Sequence, residues 1–136
     1  MEIFIYPDTN FYIDYFEDRS DKMRPLGEFA FSVLKRTFKC EFKIVISDLV
    51  IDELERHISE QRIAHLVKEL EDVNKLVTVK QDYEDVEKAR ILPTHQDDAL
   101  HAVLAAKAGA KFLVTRNIQH FLNVRHLIQP ILPENL

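Results

Sequence analysis

The chain has 136 residues, 46% hydrophobic and 30% charged, with 2 Gly, 5 Pro, 1 Cys and a net charge of −5. That balance excludes a disordered or collagen-like chain, and the length predicts one unit over residues 1–136. Apolar runs such as 102–106 fall far short of the roughly 20 residues of a membrane helix, MEIFIYPD lacks the apolar run of a secretory leader, and Cys40 alone makes neither an intrachain disulfide nor an all-cysteine zinc site; a cytoplasmic chain with no membrane contact is the expectation.

Ile3 to Tyr6 is a continuous apolar run, as in a strand buried on both faces, and Pro7 is expected to end it. Asp8, Thr9 and Asn10 offer N-cap chemistry to a helix through FYIDYF. Pro25 suits the first turn of a second helix with the stripe Leu26, Phe29, Ala30, Val33 and Leu34. FKIVIS reads as a second buried strand, followed by a helix over SDLVIDELERHI capped by Ser47. A helix over about 59–73, a strand at 76–79 and a short acidic helix over 82–91 come next. Thr94 and Asp97 have nearly the spacing of a capping box ahead of the helix ALHAVLAAKA, which Gly109 is expected to stop. KFLVT reads as a fourth strand and HLIQ, at 126–129, as a fifth. Strands alternating with helices predict an α/β fold: three layers, α/β/α, around a mostly parallel sheet of about five strands.

Charge is segregated along the chain. Residues 19–43 carry Arg19, Lys22, Arg24, Lys35, Arg36, Lys39 and Lys43 against three acids, whereas 48–72 carry eight acids against Arg56, Arg62 and Lys68. Two readings stand side by side: solvated helix faces of opposite sign, or an acidic pocket beside a basic rim.

Parallel sheets bind ligands at the carboxyl ends of their strands. There the sequence places Asp8 after strand one, Glu53 in the helix after strand two, Asp97 and Asp98 opening the helix before strand four, and Thr115, Arg116 and Asn117 after it. Each has a plain alternative: Asp8, Asp97 and Asp98 are good caps, and Glu53 sits on a charged helix between Asp52 and Glu55. Converging carboxylates repel one another unless a cation sits among them. Mg²⁺ and Mn²⁺ take hard oxygen ligands and pair with phosphates, which suits phosphodiester hydrolysis. His101 lies three residues after Asp98 on one helix face, either lining the pocket or as a buried structural histidine. Phe11, Tyr12, Tyr15 and Phe16 are candidates for base stacking, for the core or for a subunit contact. Phosphate-loop, nucleophile-elbow and HExxH motifs are absent.

The stretches DTNFYIDYF, SDLVIDELER and DDALHAVLAAKAGAKFLVTRNIQHF, with their spacing, resemble the PIN domain family of metal-dependent ribonucleases, which includes the VapC toxins of toxin–antitoxin pairs. The resemblance implies an endoribonuclease that uses Mg²⁺ or Mn²⁺ and leaves a 5′-phosphate and a 3′-hydroxyl. It also implies an RNA substrate, a small antitoxin partner and a homodimer. On the family pattern Asp8, Glu53 and Asp98 match the acids that hold metal. Thr115 and Asn117 match the threonine and the acid-or-asparagine after the last long strand. Asn10, Asp14 and Asp97 match supporting polar positions, and Arg116 is the expected phosphate contact. The pattern breaks at the fourth acid, where Asn117 and His120 are both uncharged or neutral-capable side chains rather than carboxylates. A PIN-like module that binds RNA or protein without turnover, and an RNA-maturation nuclease, are the alternatives.

Overall fold

The computed structural model describes residues 2–136. β1 (Ile3–Pro7), β2 (Phe42–Ser47), β3 (Leu76–Val79), β4 (Phe112–Val114) and β5 (Gln129–Ile131) form one sheet in the order β3-β2-β1-β4-β5. Every neighbouring pair is parallel. Successive residues Ile5 and Tyr6, Ile44 and Val45, and Leu113 and Val114 are all buried. Neighbours along a strand point to opposite faces, so both faces are covered and the expected three-layer arrangement is what the chain adopts.

α1 (Thr9–Glu17) and α2 (Leu26–Phe38) link β1 to β2, and α3 (Asp48–Leu54) and α4 (Glu60–Asp72) link β2 to β3. α5 (Tyr83–Arg90) and α6 (Gln96–Lys107) then carry the chain back across the sheet to β4. Right-handed crossovers put α1 to α4 on one face and α5 and α6 on the other, because the direction of travel reverses after β3. The reversal leaves a crevice between the ends of β1 and β4, the place where such sheets receive ligands.

Local chemistry explains most helix starts. The side chains of Asp8, Ser47 and Ser59 accept from the N–H groups of Phe11, Val50 and Arg62, and Asp82 and Asp85 form a reciprocal capping box at α5. Gly109, at φ 78°, follows the end of α6 as expected. The helix over SDLVIDELERHI is shorter than the sequence suggests: it ends at Leu54, and turns carry Ile58 back into the core with its N–H on the Leu54 carbonyl at 2.8 Å. Pro25, expected in the first turn of α2, occupies the N-cap position just before it and makes no side-chain cap.

Two prolines sit inside strands. Pro7 is the last residue of β1, aligned with Val114, at a point where pairing with β2 has already ended at Ile5. Its missing donor therefore breaks no ladder bond. The fifth strand lies three residues later than HLIQ and contains Pro130. β5 is an edge strand, and an edge tolerates a residue that donates nothing on its open side. A 3₁₀ segment, Ile118–Val124, fills the connection between β4 and β5.

Gly27 marks a close contact between α1 and α2. A Cβ there would lie 2.5 Å from Asp18 Oδ1, 2.6 Å from Asp18 Cα and 2.9 Å from the Asp14 carbonyl. Two of those three atoms are backbone atoms of the α1 terminus, which cannot swing away. Gly27→Ala is expected to destabilise the fold by about 1–3 kcal/mol through overpacking, read as a lower urea midpoint with an unchanged slope.

Candidate active site

Asp8 joins β1 to α1 with both carboxylate oxygens engaged. Oδ1 accepts the Phe11 N–H at 3.0 Å and Oδ2 accepts the Thr115 hydroxyl at 2.6 Å. Thr115 Oγ1 in turn accepts the Asn117 N–H at 3.0 Å, which latches the chain after β4. Asp8 is buried, and burial pushes its carboxyl above the usual range against the hydrogen bonds from Thr115 and Phe11. Glu53 approaches from the end of α3 and Asp98 from the first turn of α6.

These residues line one cleft of about 520 Å³, together with Thr9, Asn10, Asp97, His101, Asn117 and His120. Seven of the nine sequence-predicted positions therefore meet: Asp8, Asn10, Glu53, Asp97, Asp98 and Asn117 on the lining, and Thr115 beneath it through Asp8. Asp14 and Arg116 are not on the lining. They pair with each other, Arg116 Nε standing 3.1 Å from Asp14 Oδ2 but off the line of a hydrogen bond. Asp97 does not complete a capping box with Thr94. His95 occupies the N-cap with Nδ1 3.4 Å from the Asp97 N–H, and the Thr94 hydroxyl instead donates to the His120 carbonyl at 2.8 Å.

The cleft is acidic, and among the described residues no lysine or arginine lines it. Of the basic residues of 19–43, Arg24 pairs with Glu134 and Arg36 with Glu41, as on a solvated face. Phe11 and Tyr12 belong to the core, while Tyr15 and Phe16 are half-buried, with Arg62 over the Phe16 ring.

Glu53 differs from the other two acids. Its Oε1 accepts from the Thr9 hydroxyl and from His101 Nε2, the latter at 2.8 Å. Burial alone would raise its pKa, but these hydrogen bonds win and hold the carboxyl below the usual range. An ionised Glu53 accepts only, so the proton of His101 is on Nε2. Nδ1 is then an acceptor, 2.8 Å from the Tyr6 hydroxyl. Burial pushes Tyr6 far above its usual pKa, so it is protonated and donates. Ser47 Oγ lies 2.6 Å from Tyr6 and already accepts the Val50 N–H, so its own proton goes to Tyr6. Every proton in the chain Ser47–Tyr6–His101 thus points toward Glu53. The sequence reading missed Thr9 and Tyr6; the only signal was their place on either side of the Pro7–Asp8 step.

Burial also raises the Asp98 carboxyl, only partly offset by His120, whose Nδ1 is 3.5 Å from Asp98 Oδ2. Two desolvated carboxylates and an ionised third on one lining form a hard-oxygen donor set that fits Mg²⁺ or Mn²⁺. Among the described residues, no three His, Cys, Asp or Glu side chains close around a single point.

A family model described as PIN domain matches residues 5–127. No curated protein sequence matches the chain. Among solved structures, the chain is similar to one in VapBC2 from Rickettsia felis bound to a DNA fragment from its promoter, with 18% identity, coverage of 95% of this chain and 99% of that one, and a TM-score of 0.62. A toxin–antitoxin complex from Klebsiella pneumoniae gives 16% identity, 97% and 99% coverage and a TM-score of 0.62. VapBC-1 from nontypeable Haemophilus influenzae gives 15%, 96% and 98%, and 0.60. At these identities the likeness is one of fold.

The raised Asp98 carboxyl has a consequence for stability. A group whose folded pKa lies above its unfolded value destabilises the fold once pH exceeds both. In metal-free protein at about pH 7, Asp98→Asn is therefore expected to melt above the wild type, and the gap to close as pH falls toward the ordinary Asp value of about 4. Thermal melts of both proteins across that range check the sign.

Proposed function

The chain belongs to the PIN domain family, and from that premise we propose that it is an Mg²⁺- or Mn²⁺-dependent endoribonuclease, the toxin of a toxin–antitoxin pair. The observation that carries the reading is one cleft at the strand ends, lined by Asp8, Glu53, Asp97 and Asp98 with no lysine or arginine among the described lining residues. The similar solved structures are of toxin–antitoxin assemblies, which supports a small antitoxin as partner. Cytoplasmic location and a homodimer complete the proposal; no helix among the described residues is long and apolar enough to cross a membrane.

Asp8 and Asp98 would hold the ion, with Glu53 beside them and the Asn117 carbonyl reaching it through water. Bound there, Mg²⁺ or Mn²⁺ would supply an acidified water and positive charge for the phosphate oxygens. The residues of the chain do the rest. Glu53, held ionised by Thr9 and His101, is placed to take a proton at Oε2 from the attacking water. Thr115 and Phe11 keep Asp8 in one orientation. Arg116, anchored by Asp14 one residue from Asn117, offers a cation to an RNA phosphate.

A binding module without turnover is the second reading, favoured by the neutral Asn117 and by the lack of three closely converging ligands among the described residues. The two part on cleavage of a mixed pool of single-stranded and hairpin RNA. The nuclease cuts with Mn²⁺ and not with EDTA, Asp8→Asn falls to the metal-free level, and Glu53→Gln loses about 10²–10⁴-fold in rate. Asparagine is itself a good N-cap, so Asp8→Asn keeps the start of α1. No cleavage together with no Mn²⁺-linked rise in melting temperature selects the binding module.

A further inference from the structure

The buried chain Ser47–Tyr6–His101 ends on a single oxygen of a cleft carboxylate, and the proposed chemistry draws only on its last hydrogen bond, to Glu53. His101 is 4% exposed, sits in the middle of α6, and has both ring nitrogens engaged. A neutral imidazole has one donor and one acceptor, and here each has a named partner. This one is held edge-on to Tyr6 with ring centroids 5.8 Å apart, and Tyr6 is tied through Ser47 to the start of α3, the helix that carries Glu53. The tie is a closed loop: α3 presents Glu53, Ser47 caps α3, Tyr6 bonds Ser47, and His101 returns to Glu53.

Both donors to Glu53, Thr9 and His101, fall on Oε1. Among the described residues Oε2 has no protein partner, and it is not one of the buried unpaired oxygens, so it is open to the cleft that Glu53 lines. A glutamate has three side-chain torsions, and a single donor leaves the carboxylate free to rotate about the bond to it. Two donors from different helices, α1 and α6, remove that freedom and define which oxygen faces inward.

We infer that His101 is a positioning residue: its Nε2–H, braced by Tyr6 and Ser47, holds Glu53 Oε1 so that Oε2 alone is aimed at the ion and the attacking water. The inference rests on the nuclease reading for its Mn²⁺-binding and activity arms, and the spectrum stands apart from it. It assigns no proton transfer to His101, whose role is to keep its proton on Nε2.

Four variants and the imidazole spectrum test it. His101→Phe keeps the ring volume and loses both hydrogen bonds; it is expected to weaken Mn²⁺ binding, titrated with the metal alone, by about 10–100-fold. The same variant is expected to lower kcat by a similar factor with KM within about threefold, because the loss is at the reacting centre and not in RNA binding. His101→Gln can still donate from its side-chain amide and should recover most of both. Tyr6→Phe removes only the brace and should show a smaller loss in the same direction. In metal-free wild type, the imidazole ¹⁵N spectrum should show the Nε2–H form with a slowly exchanging proton, and Glu53→Ala should make that proton exchange fast. Wild-type Mn²⁺ affinity and kcat in a folded His101→Phe overturns the inference, as does a proton found on Nδ1, or a folded His101→Gln as impaired as the Phe variant. Should the wild type neither bind Mn²⁺ nor cut RNA, the nuclease reading falls, and the spectrum alone still decides whether His101 holds Glu53.

Discussion

The hydrogen bond from the Asp8 N–H to the Val114 carbonyl, 3.0 Å long, extends the β1–β4 ladder one step beyond its last paired residues. The cleft depends on that step. It sets Asp8 beside Thr115, so that Asp8 Oδ2 finds its hydroxyl and the backbone after β4 is latched at Asn117. The other oxygen of the same carboxylate caps α1 and so determines where Thr9 points, and Thr9 reaches Glu53 on α3. A slip of one residue in the β1–β4 register would turn Thr115 to the opposite face and undo all of these contacts together. One acidic residue therefore joins two strands and two helices at the crevice where the sheet reverses direction.

The three inner acids meet opposite conditions on one lining. Asp8 and Asp98 are desolvated more than they are compensated, and both resist ionisation. Glu53 is shielded about as much as Asp98 but receives two donors on one oxygen, and it ionises more readily than usual. A cation inverts this balance, since the charges that are unfavourable alone become ligands. The metal-free cleft thus stores an electrostatic penalty that binding would release. The sheet beneath it, with its double-sided burial, supplies the stability that tolerates the penalty.

The fold was legible because its cues are local. Short β-branched runs, Ser and Asp caps and Gly109 mark element ends by chemistry that does not need the tertiary structure. The errors have tertiary causes. Pro130 argues against a strand until β5 is known to be an edge. Thr94 is a good cap by type, yet its hydroxyl is taken by the His120 carbonyl, leaving His95 at the N-cap. The acids of the cleft were legible because each follows a strand or opens a helix. Tyr6 and Thr9 were not, because a tyrosine in a strand and a threonine in a first turn have ordinary local explanations, while for His101 the spacing from Asp98 left pocket and core as alternatives. Only their convergence on Glu53, across separations of 44 and 48 residues for Thr9 and His101, sets them apart.

The break at the fourth acid bears on how a polyanion enters. Nucleic-acid sites commonly meet phosphates with lysine and arginine, but this lining has neither among the described residues, and its other polar side chains include Asn10, Asn117, His95 and His120. With a further carboxylate at 117 the cleft would be more repulsive to RNA without gaining a donor. Asn117 keeps an oxygen for a water-mediated contact and adds an N–H₂ group that can face a phosphate. In the proposed reading the ion has two roles at once, neutralising the carboxylates and attracting the backbone to be cut. The substitution of amide for carboxylate then lowers the positive charge needed to make the empty cleft attractive to RNA, which suits a site that holds one ion better than a site that must hold two.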